Sequence, residues 1–184
     1  MAPAVGRERR LNWGCGAHPS PGWLNSDRRD EPGIDISVDI RDGLPLPDES
    51  FDYIVSIHAL PEIAYPDLVP VLTELRRVLK TGGTLRLALP DIDRGINAYL
   101  RGDLGYFLIP DEHSRSAGGK LITQLLWYGY NVSLFSADFV EELLGNAGFR
   151  SIEHCKYRET ASGHAGIVEL DNRERESLFI EATK

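Results

Sequence analysis

Four short stretches of the chain carry residues whose types and spacing could do chemistry. The first is Leu11 to Asp27, LNWGCGAHPSPGWLNSD, in which Gly14-Cys15-Gly16 follows an apolar triplet and an acid closes the stretch. Glycines after a strand let a backbone approach a bound ligand closely, and an acid at the end of the next strand accepts hydrogen bonds from a ribose diol. That layout suits a nucleoside. Asp39 ends a second alternating stretch, His58 follows a continuous apolar run, and Asp91 and Asp93 follow another. His58 is placed either to take a proton from a substrate hydroxyl or to hydrogen-bond the backbone and shape a pocket. Asp91 and Asp93 are either a second base or helix caps, and Asp27 and Asp39 have Asx-turns as their plain structural alternative.

The glycine pattern is incomplete as a dinucleotide fingerprint. Ala17-His18 stand where it would run toward a third glycine, and Pro19, Pro21 and Gly22 leave no room for a standard helix. Ten residues separate Gly16 from Asp27, against about 20 in the usual fingerprint. A dinucleotide needs a helix N-terminus for its pyrophosphate, so a nucleoside without phosphate is the better match.

The elements that must position these residues alternate between strand and helix. Leu11 to Trp13 reads as a buried strand and a second strand ends at Asp27. Ile34 to Val38 alternates as an edge strand does, and Phe51 to Ile57 is apolar enough for a central one. Helical spacing runs from Asp67 to Lys80, with Pro70 in its first turn and Thr81-Gly82-Gly83 as its stop. Thr84 to Leu89 is the next strand. Residues 91 to 136 break the rhythm with a short helix over Ile92 to Leu100, a loop carrying Asp111-Glu112-His113 and a helical Leu121 to Tyr128; they are expected to form a lid over the acceptor. Ser136 caps a helix over Ala137 to Leu144, and two antiparallel strands, Ser151 to Tyr157 and Ser177 to Thr183, close the chain. The expectation is an α/β fold with a mostly parallel sheet, in one domain over residues 9 to 184 after a flexible lead-in of residues 1 to 8. Ligands in such sheets sit beyond the carboxyl ends of the strands.

In this order the pieces LNWGCG, PGWLNSD, ISVDI, LPLPDESFDYIVSIHAL, ELRRVLKTGG, TLRLALPD and FVEELLGNAGF resemble the class I S-adenosylmethionine-dependent methyltransferases, in particular a small bacterial group whose first motif reads Leu-Asn-x-Gly-Cys-Gly. The resemblance implies a Rossmann-like seven-stranded sheet of order 3-2-1-4-5-7-6, its last strand antiparallel, with helices on both faces and a degenerate first helix. It implies S-adenosyl-L-methionine as cofactor. Gly14, Cys15 and Gly16, with Asn12 and Trp13 of the same motif, would meet its methionine end; Asp27 the ribose; Asp39 and the backbone of Ile40 the adenine. Ser56 and His58 would line the methyl-transfer side, with Asp91 as a second catalytic candidate and His113 and Tyr130 of the lid as acceptor contacts. Pro61-Glu62 departs from the Glu-His that the family commonly carries there.

The reaction implied is methyl transfer to oxygen or nitrogen of a small-molecule or glycan-type acceptor. Two alternatives from other classes are a catalytically silent cofactor-binding or partner-binding module and a nicotinamide-dependent oxidoreductase. A net charge of -8 argues against a nucleic-acid partner, and the basic residues of Arg7 to Arg10 and Arg173 to Arg175 are interrupted by glutamates, as on a solvated surface. No run is long and apolar enough for a membrane span, and the N-terminus lacks a secretory core, so a cytoplasmic protein with no membrane partner is expected. The two cysteines, Cys15 and Cys155, and the histidines show no metal-ligand spacing, and no metal is expected. Gly118-Gly119-Lys120 lacks the earlier glycine of a phosphate loop, Asn131-Val132-Ser133 is not expected to be glycosylated, and oligomeric state is open.

Overall fold

The computed structural model describes residues 8–184; residues 1–7, most of the expected lead-in, lie outside the described residues. Glu8 is tied down, its carboxylate 2.7 Å from His164 Nδ1. Seven strands form one sheet of order β3-β2-β1-β4-β5-β7-β6: β1 is Arg10–Trp13, β2 Leu24–Asp27, β3 Ile36–Ser37, β4 Phe51–Ile57, β5 Leu79–Pro90, β6 Arg150–Cys155 and β7 Ser177–Thr183. All pairings are parallel except the two that β7 makes, with β5 and β6. Sheet order and strand sense match the expectation.

Two helices fasten one face. Helix α1, Leu68–Val78, buries Leu68, Val71, Leu72, Leu75 and Val78, the positions that its helical period marks, and Pro70 falls in its first turn. The later helix α4, Ala137–Asn146, buries Val140, Leu143 and Leu144. Both join Leu11, Ile54, Leu85, Leu87 and Ile180 of the sheet in one apolar core. Between them in sequence lie α2, Ile92–Arg101, and α3, Ala117–Leu126, which pack on each other in the expected lid region.

The opposite face carries no α-helix among the described residues. After Gly16 the chain makes turns only, and the link from β6 to β7 contributes a single 3-10 turn, Ala165–Val168, whose Ile167 packs on Trp23, Tyr53 and Val55. An ion cluster holds that link down. Arg86 of β5 donates to both carboxylate oxygens of Asp171 at 2.9 and 2.5 Å and to Glu181 of β7 at 2.7 Å, all three side chains 3% exposed or less. Glu181 in turn accepts from Thr160, Ala161 and Ser162, while Arg86 reaches the carbonyls of Lys156 and Glu159. Each charge is thus paired and its remaining hydrogen-bonding capacity used, the condition for burying ions at tolerable cost.

Several local expectations are corrected. Thr81-Gly82-Gly83 does not end a helix: α1 stops at Val78 and β5 begins at once, with Leu79 paired to Phe51 before the register shifts and Thr84 meets Tyr53. The glycines form the irregularity itself, since a Cβ on Gly83 would stand 2.9 Å from the carbonyl oxygen of Asp52. Strand β3 is two residues long and not five. Helix α3 starts at Ala117, ahead of the expected Leu121, and ends at Leu126, where Trp127 turns left-handed (φ 42°). Ser136 sits at the start of α4 but its hydroxyl bonds the Asp138 carboxylate and caps no backbone N–H. Strand β6 is shifted to Arg150–Cys155.

The lid region is lightly packed. Of the exposed large apolar side chains among the described residues, all but Tyr65 fall between Ile96 and Val132. Segments with little buried apolar area open at low cost.

Candidate active site

The carboxyl ends of β1, β2, β3, β4 and β5 border one cavity of about 440 Å³, within the range of small-molecule sites. Its first wall is the turn after β1. Gly14 N and Cys15 N both donate to Ser26 O, at 2.7 and 3.1 Å, so the turn is laid across the end of β2. Gly14 has φ +67° and a Cβ there would stand 2.1 Å from the Ala59 Cβ, so the position requires glycine on two counts. Trp13, Gly14, Cys15 and Gly16 all line the cavity. Burial and the nearby Asp27 carboxylate push the Cys15 thiol up to about 11, so it stays protonated at neutral pH and is no nucleophile.

Asp27 and Asp39 form the second wall. Asp27, 7% exposed, accepts Gly16 N–H on Oδ2 at 2.7 Å and Arg29 N–H and Nε on Oδ1 at 3.0 and 3.3 Å. Asp39 precedes a 3-10 turn, Ile40–Asp42, and holds Arg41 by its N–H, Nε and NH2 at 3.0, 2.9 and 2.5 Å. The Arg41 guanidinium lowers the Asp39 carboxyl to about 2. Asp39 is therefore ionised, and both acids line the cavity. A carboxylate offers about four lone-pair sites, and three are used at each, so a ribose diol at Asp27 shares the acid with Arg29 or displaces it. Ile40 lines the cavity, and as the first residue of its turn its N–H has no partner within that turn.

Of the expected cofactor residues, Trp13, Gly14, Cys15, Gly16, Asp27, Asp39 and Ile40 line this cavity. Two candidates stand behind it. Asn12 is buried and spends its amide on Asn25 Oδ1 at 3.0 Å and His18 O at 3.3 Å, which fastens the helix-less crossing to the sheet. Ser56 is fully exposed to neither solvent nor cavity; its hydroxyl is buried without a hydrogen-bond partner, on the face that it shares with Ile54.

At the far wall the structure brings His58, Asp91 and Tyr130 to the cavity. His58 ends β4 in a left-handed conformation, φ 56°, with its N–H on Ala88 O at 2.9 Å and Nε2 2.7 Å from Ser177 Oγ. Burial, helped by the charge of Arg173, lowers its pKa to about 3, so the ring is neutral. Asp91 caps α2: Oδ1 accepts Arg94 N–H at 3.1 Å, and Oδ2 meets Arg94 Nε at 3.1 Å. The capping alternative for Asp91 is the one that the geometry supports. Tyr106, pushed up to about 12 by burial and by Asp91, keeps its proton.

His113 is not brought in. It is exposed, bonds Tyr128 OH through Nδ1 at 2.7 Å and lies outside the cavity lining. Lys120 is buried at the start of α3 and turned to Asp111 (2.9 Å) and to Ile109 O, which ties down the loop that carries His113. Asn131 is also buried, its amide on Leu125 O at 2.7 Å, which leaves no glycan acceptor there. Pro61 and Glu62 have separate tasks: Pro61 O accepts Val132 N–H and Ser133 N–H, anchoring the end of the lid, and Glu62 lines the cavity opposite Arg28 at 2.8 Å.

Among the lining residues that were not sequence candidates, Arg173 and Glu176 lie in the link into β7, and Arg173 belongs to the basic cluster expected to be solvated surface. Its signal was weak, since only the ladder of Ser177 to Pro90 and the buried ions at Arg86 bring that link back to the strand ends. Among the described residues no three His, Cys, Asp or Glu side chains gather as a metal site would need, and no helix is long and apolar enough to cross a membrane.

Comparison with known proteins bears on this geometry. Residues 11–87 match the family described as a methyltransferase domain, which covers β1 to most of β5. No curated protein matches the sequence. Among solved structures, the fold is similar to a SAM-dependent methyltransferase of Thermotoga maritima, a possible histamine N-methyltransferase, with TM-score 0.61 and 20% identity over 98% of this chain and 84% of that one. It is similar to a SAM-dependent methyltransferase of Archaeoglobus fulgidus at TM-score 0.59 and 14% identity, over 97% and 87% of the two chains. A Haloferax volcanii methyltransferase solved in complex with the Trm112 activator shares the fold at TM-score 0.51 and 16% identity, over 96% and 82%.

Proposed function

We propose that this chain is an S-adenosylmethionine-dependent methyltransferase, a reading that the methyltransferase-domain match over residues 11–87 and the sheet order support, and that it moves the sulfonium methyl to oxygen or nitrogen of a small acceptor held under residues 91 to 136. The observation that carries the reading is the single cavity, which joins the Gly14 to Gly16 turn and the acids Asp27 and Asp39 to an acceptor wall of His58, Tyr106, Trp127, Tyr130 and Arg173. Cofactor and acceptor would then share one space. Holding the acceptor aligned with the methyl supplies most of the acceleration, an effect that reaches about 7 to 11 kcal/mol in favourable cases.

The state of His58 narrows the chemistry. A general base works best with a pKa near the working pH, and an imidazole at about 3 is far from it. Asp91 is spent on its helix and Arg94. The acceptor best served is one that brings its own lone pair, a neutral amine or an ionised oxygen, and a glycan hydroxyl is served less well. His58 acts on this reading as a neutral wall group fixed by Ser177, and residues 91 to 136 as the lid that shapes the acceptor end.

The test is calorimetry with S-adenosylmethionine and S-adenosylhomocysteine on wild type and Asp27→Ala. Binding by wild type and its loss in the variant are expected; NADH binding with no affinity for either sulfur nucleoside would overturn the reading. The same neutral histidine favours a second reading, a cofactor-binding module without turnover. Tight S-adenosylmethionine binding with no methyl transfer to any of a broad set of amines and carboxylates would decide for it.

A further inference from the structure

Four arginines line the cavity, and they differ in how far their charge is already answered. Arg28 meets Glu62 at 2.8 Å, Arg29 meets Asp27 at 3.3 Å and donates its N–H to the same acid, and Arg41 grips Asp39 with two guanidinium nitrogens. Arg173 has one side-chain partner, Glu176 Oε1 at 3.4 Å, beyond the usual 2.7 to 2.9 Å of a charge-assisted bond. A guanidinium carries five N–H donors in a flat fork, so most of those on Arg173 remain unspent.

Arg173 also occupies the acceptor end. Its charge acts on His58, which closes β4 across from it. Both residues of the Arg173–Glu176 pair line the cavity, and the arginine side chain is the more accessible of the two, 35% exposed against 10%. The backbone just after Arg173 is held: Arg94 NH1 donates to Glu174 O at 3.1 Å and to Arg175 O at 3.4 Å, and Asp91 N–H donates to Glu176 O at 2.9 Å. The backbone that follows the fork is thus held by α2 and by Asp91 just past the end of β5.

We propose that Arg173 selects the acceptor by binding a carboxylate or phosphate oxyanion that the acceptor carries, and so sets the acceptor's nucleophilic atom against the methyl group. The proposal rests on the methyltransferase reading. A flat fork matches two oxygens of one oxyanion, which a lysine at that place would not. The neutral ring of His58 adds no competing charge, and Tyr106, Trp127 and Tyr130 around it provide faces for an aromatic or apolar body.

The experiment uses the full chain saturated with S-adenosylhomocysteine, whose own binding is measured first and reads out the methyltransferase premise by itself. Benzoate, phenyl phosphate and benzylamine are then titrated by calorimetry into wild type, Arg173→Gln and Arg173→Lys. Wild type is expected to bind benzoate or phenyl phosphate, whichever of the two identifying the oxyanion. Arg173→Gln is expected to bind it at least about tenfold more weakly and Arg173→Lys to fall between them. S-adenosylhomocysteine affinity should stay within twofold throughout, which shows that the variants are folded. Preference for benzylamine, no anion binding by wild type, or equal anion binding by wild type and Arg173→Gln would each overturn the proposal.

Discussion

The Asp27 carboxylate accepts the Gly16 N–H at 2.7 Å, so the acid that ends β2 also sets the glycine turn that follows β1. One side chain thereby fixes the distance between two groups that line the cavity. Asp27→Ala should lower S-adenosylhomocysteine affinity at least about tenfold, since a hydrogen bond to a charged group is worth about 1.5–3 kcal/mol. Arg29→Ala should do the reverse: it removes the Nε contact to Oδ1 and leaves that oxygen open to the ribose. Calorimetry on the two variants checks the opposite signs, and a fall in both would mean that Arg29 itself contacts the cofactor.

Gly14→Ala is expected to destabilise the fold by about 2 kcal/mol or more, from a left-handed backbone and a Cβ placed 2.1 Å from that of Ala59. In a chain of this length that lowers Tm by about 4–8 °C. Ala59→Gly in the same chain should restore part of the loss, because it removes the clash and leaves the backbone strain. Thermal unfolding of the single and double variants separates the two contributions.

Breaking the buried ions at Asp171 should cost about 3–5 kcal/mol, read by urea unfolding of Asp171→Ala, because Arg86 is left charged, buried and half answered. Replacing the three ions together, as Arg86→Met with Asp171→Leu and Glu181→Leu, removes the unpaired charge but leaves the N–H groups of Arg158, Ala161 and Ser162 without these acceptors, so it should recover only part of the loss. Hydrogen exchange in residues 156–171 should accelerate in the single variant before the rest of the sheet is affected.

His58 gives stability a defined pH dependence. Its folded pKa of about 3 lies below the unfolded value of about 6.5. Between those values the unfolded chain binds the extra proton, so the contribution is complete above pH 6.5 and is lost as pH falls toward 3, at a slope approaching about 1.4 kcal/mol per pH unit. The stabilisation from Asp39, whose carboxyl is lowered to about 2, is complete above its unfolded value near 4 and is lost only as pH falls below that, so it does not enter between pH 4.5 and 6.5. Urea unfolding of wild type and His58→Asn between pH 4.5 and 6.5 should therefore differ in slope, with the variant flatter. Turnover, once an acceptor is in hand, should show no inflection near pH 6.5 from this ring.

The sheet was legible in the sequence where one physical signal had one meaning. The nearly continuous apolar run of Phe51 to Ile57 and the span Ser177 to Thr183 were read to the residue, and the prolines after Gly16 announced the missing first helix. Asp27 and Asp39 could be placed at the cavity because positions at or just past a strand end are local. The glycines at 82 and 83 were misread because a glycine pair marks a helix stop and a strand irregularity alike, and only the pairing of Leu79 with Phe51 decides between them. Arg173 was missed for a different reason: a charged residue flanked by glutamates looks solvated, and what turns it inward is a strand ladder and an ion cluster spread from Arg86 to Glu181. Asn12 and Ser56 lie within or beside strands whose ends do face the ligand, and alternation of side chains carries both behind the wall.

The link between β6 and β7 has a further consequence, for how such a domain diversifies. The nucleoside wall is written in strand ends and a glycine turn, where a change of one atom meets backbone. The wall holding Arg173 and Glu176 is written in a loop pinned at Asp171 and again at Ser177. Between those pins the loop meets the strand ends through backbone carbonyls held by Arg94 and Asp91, which a change of side chain leaves in place. Side-chain changes there would alter one wall of the cavity while the glycine turn and Asp27 stay as they are.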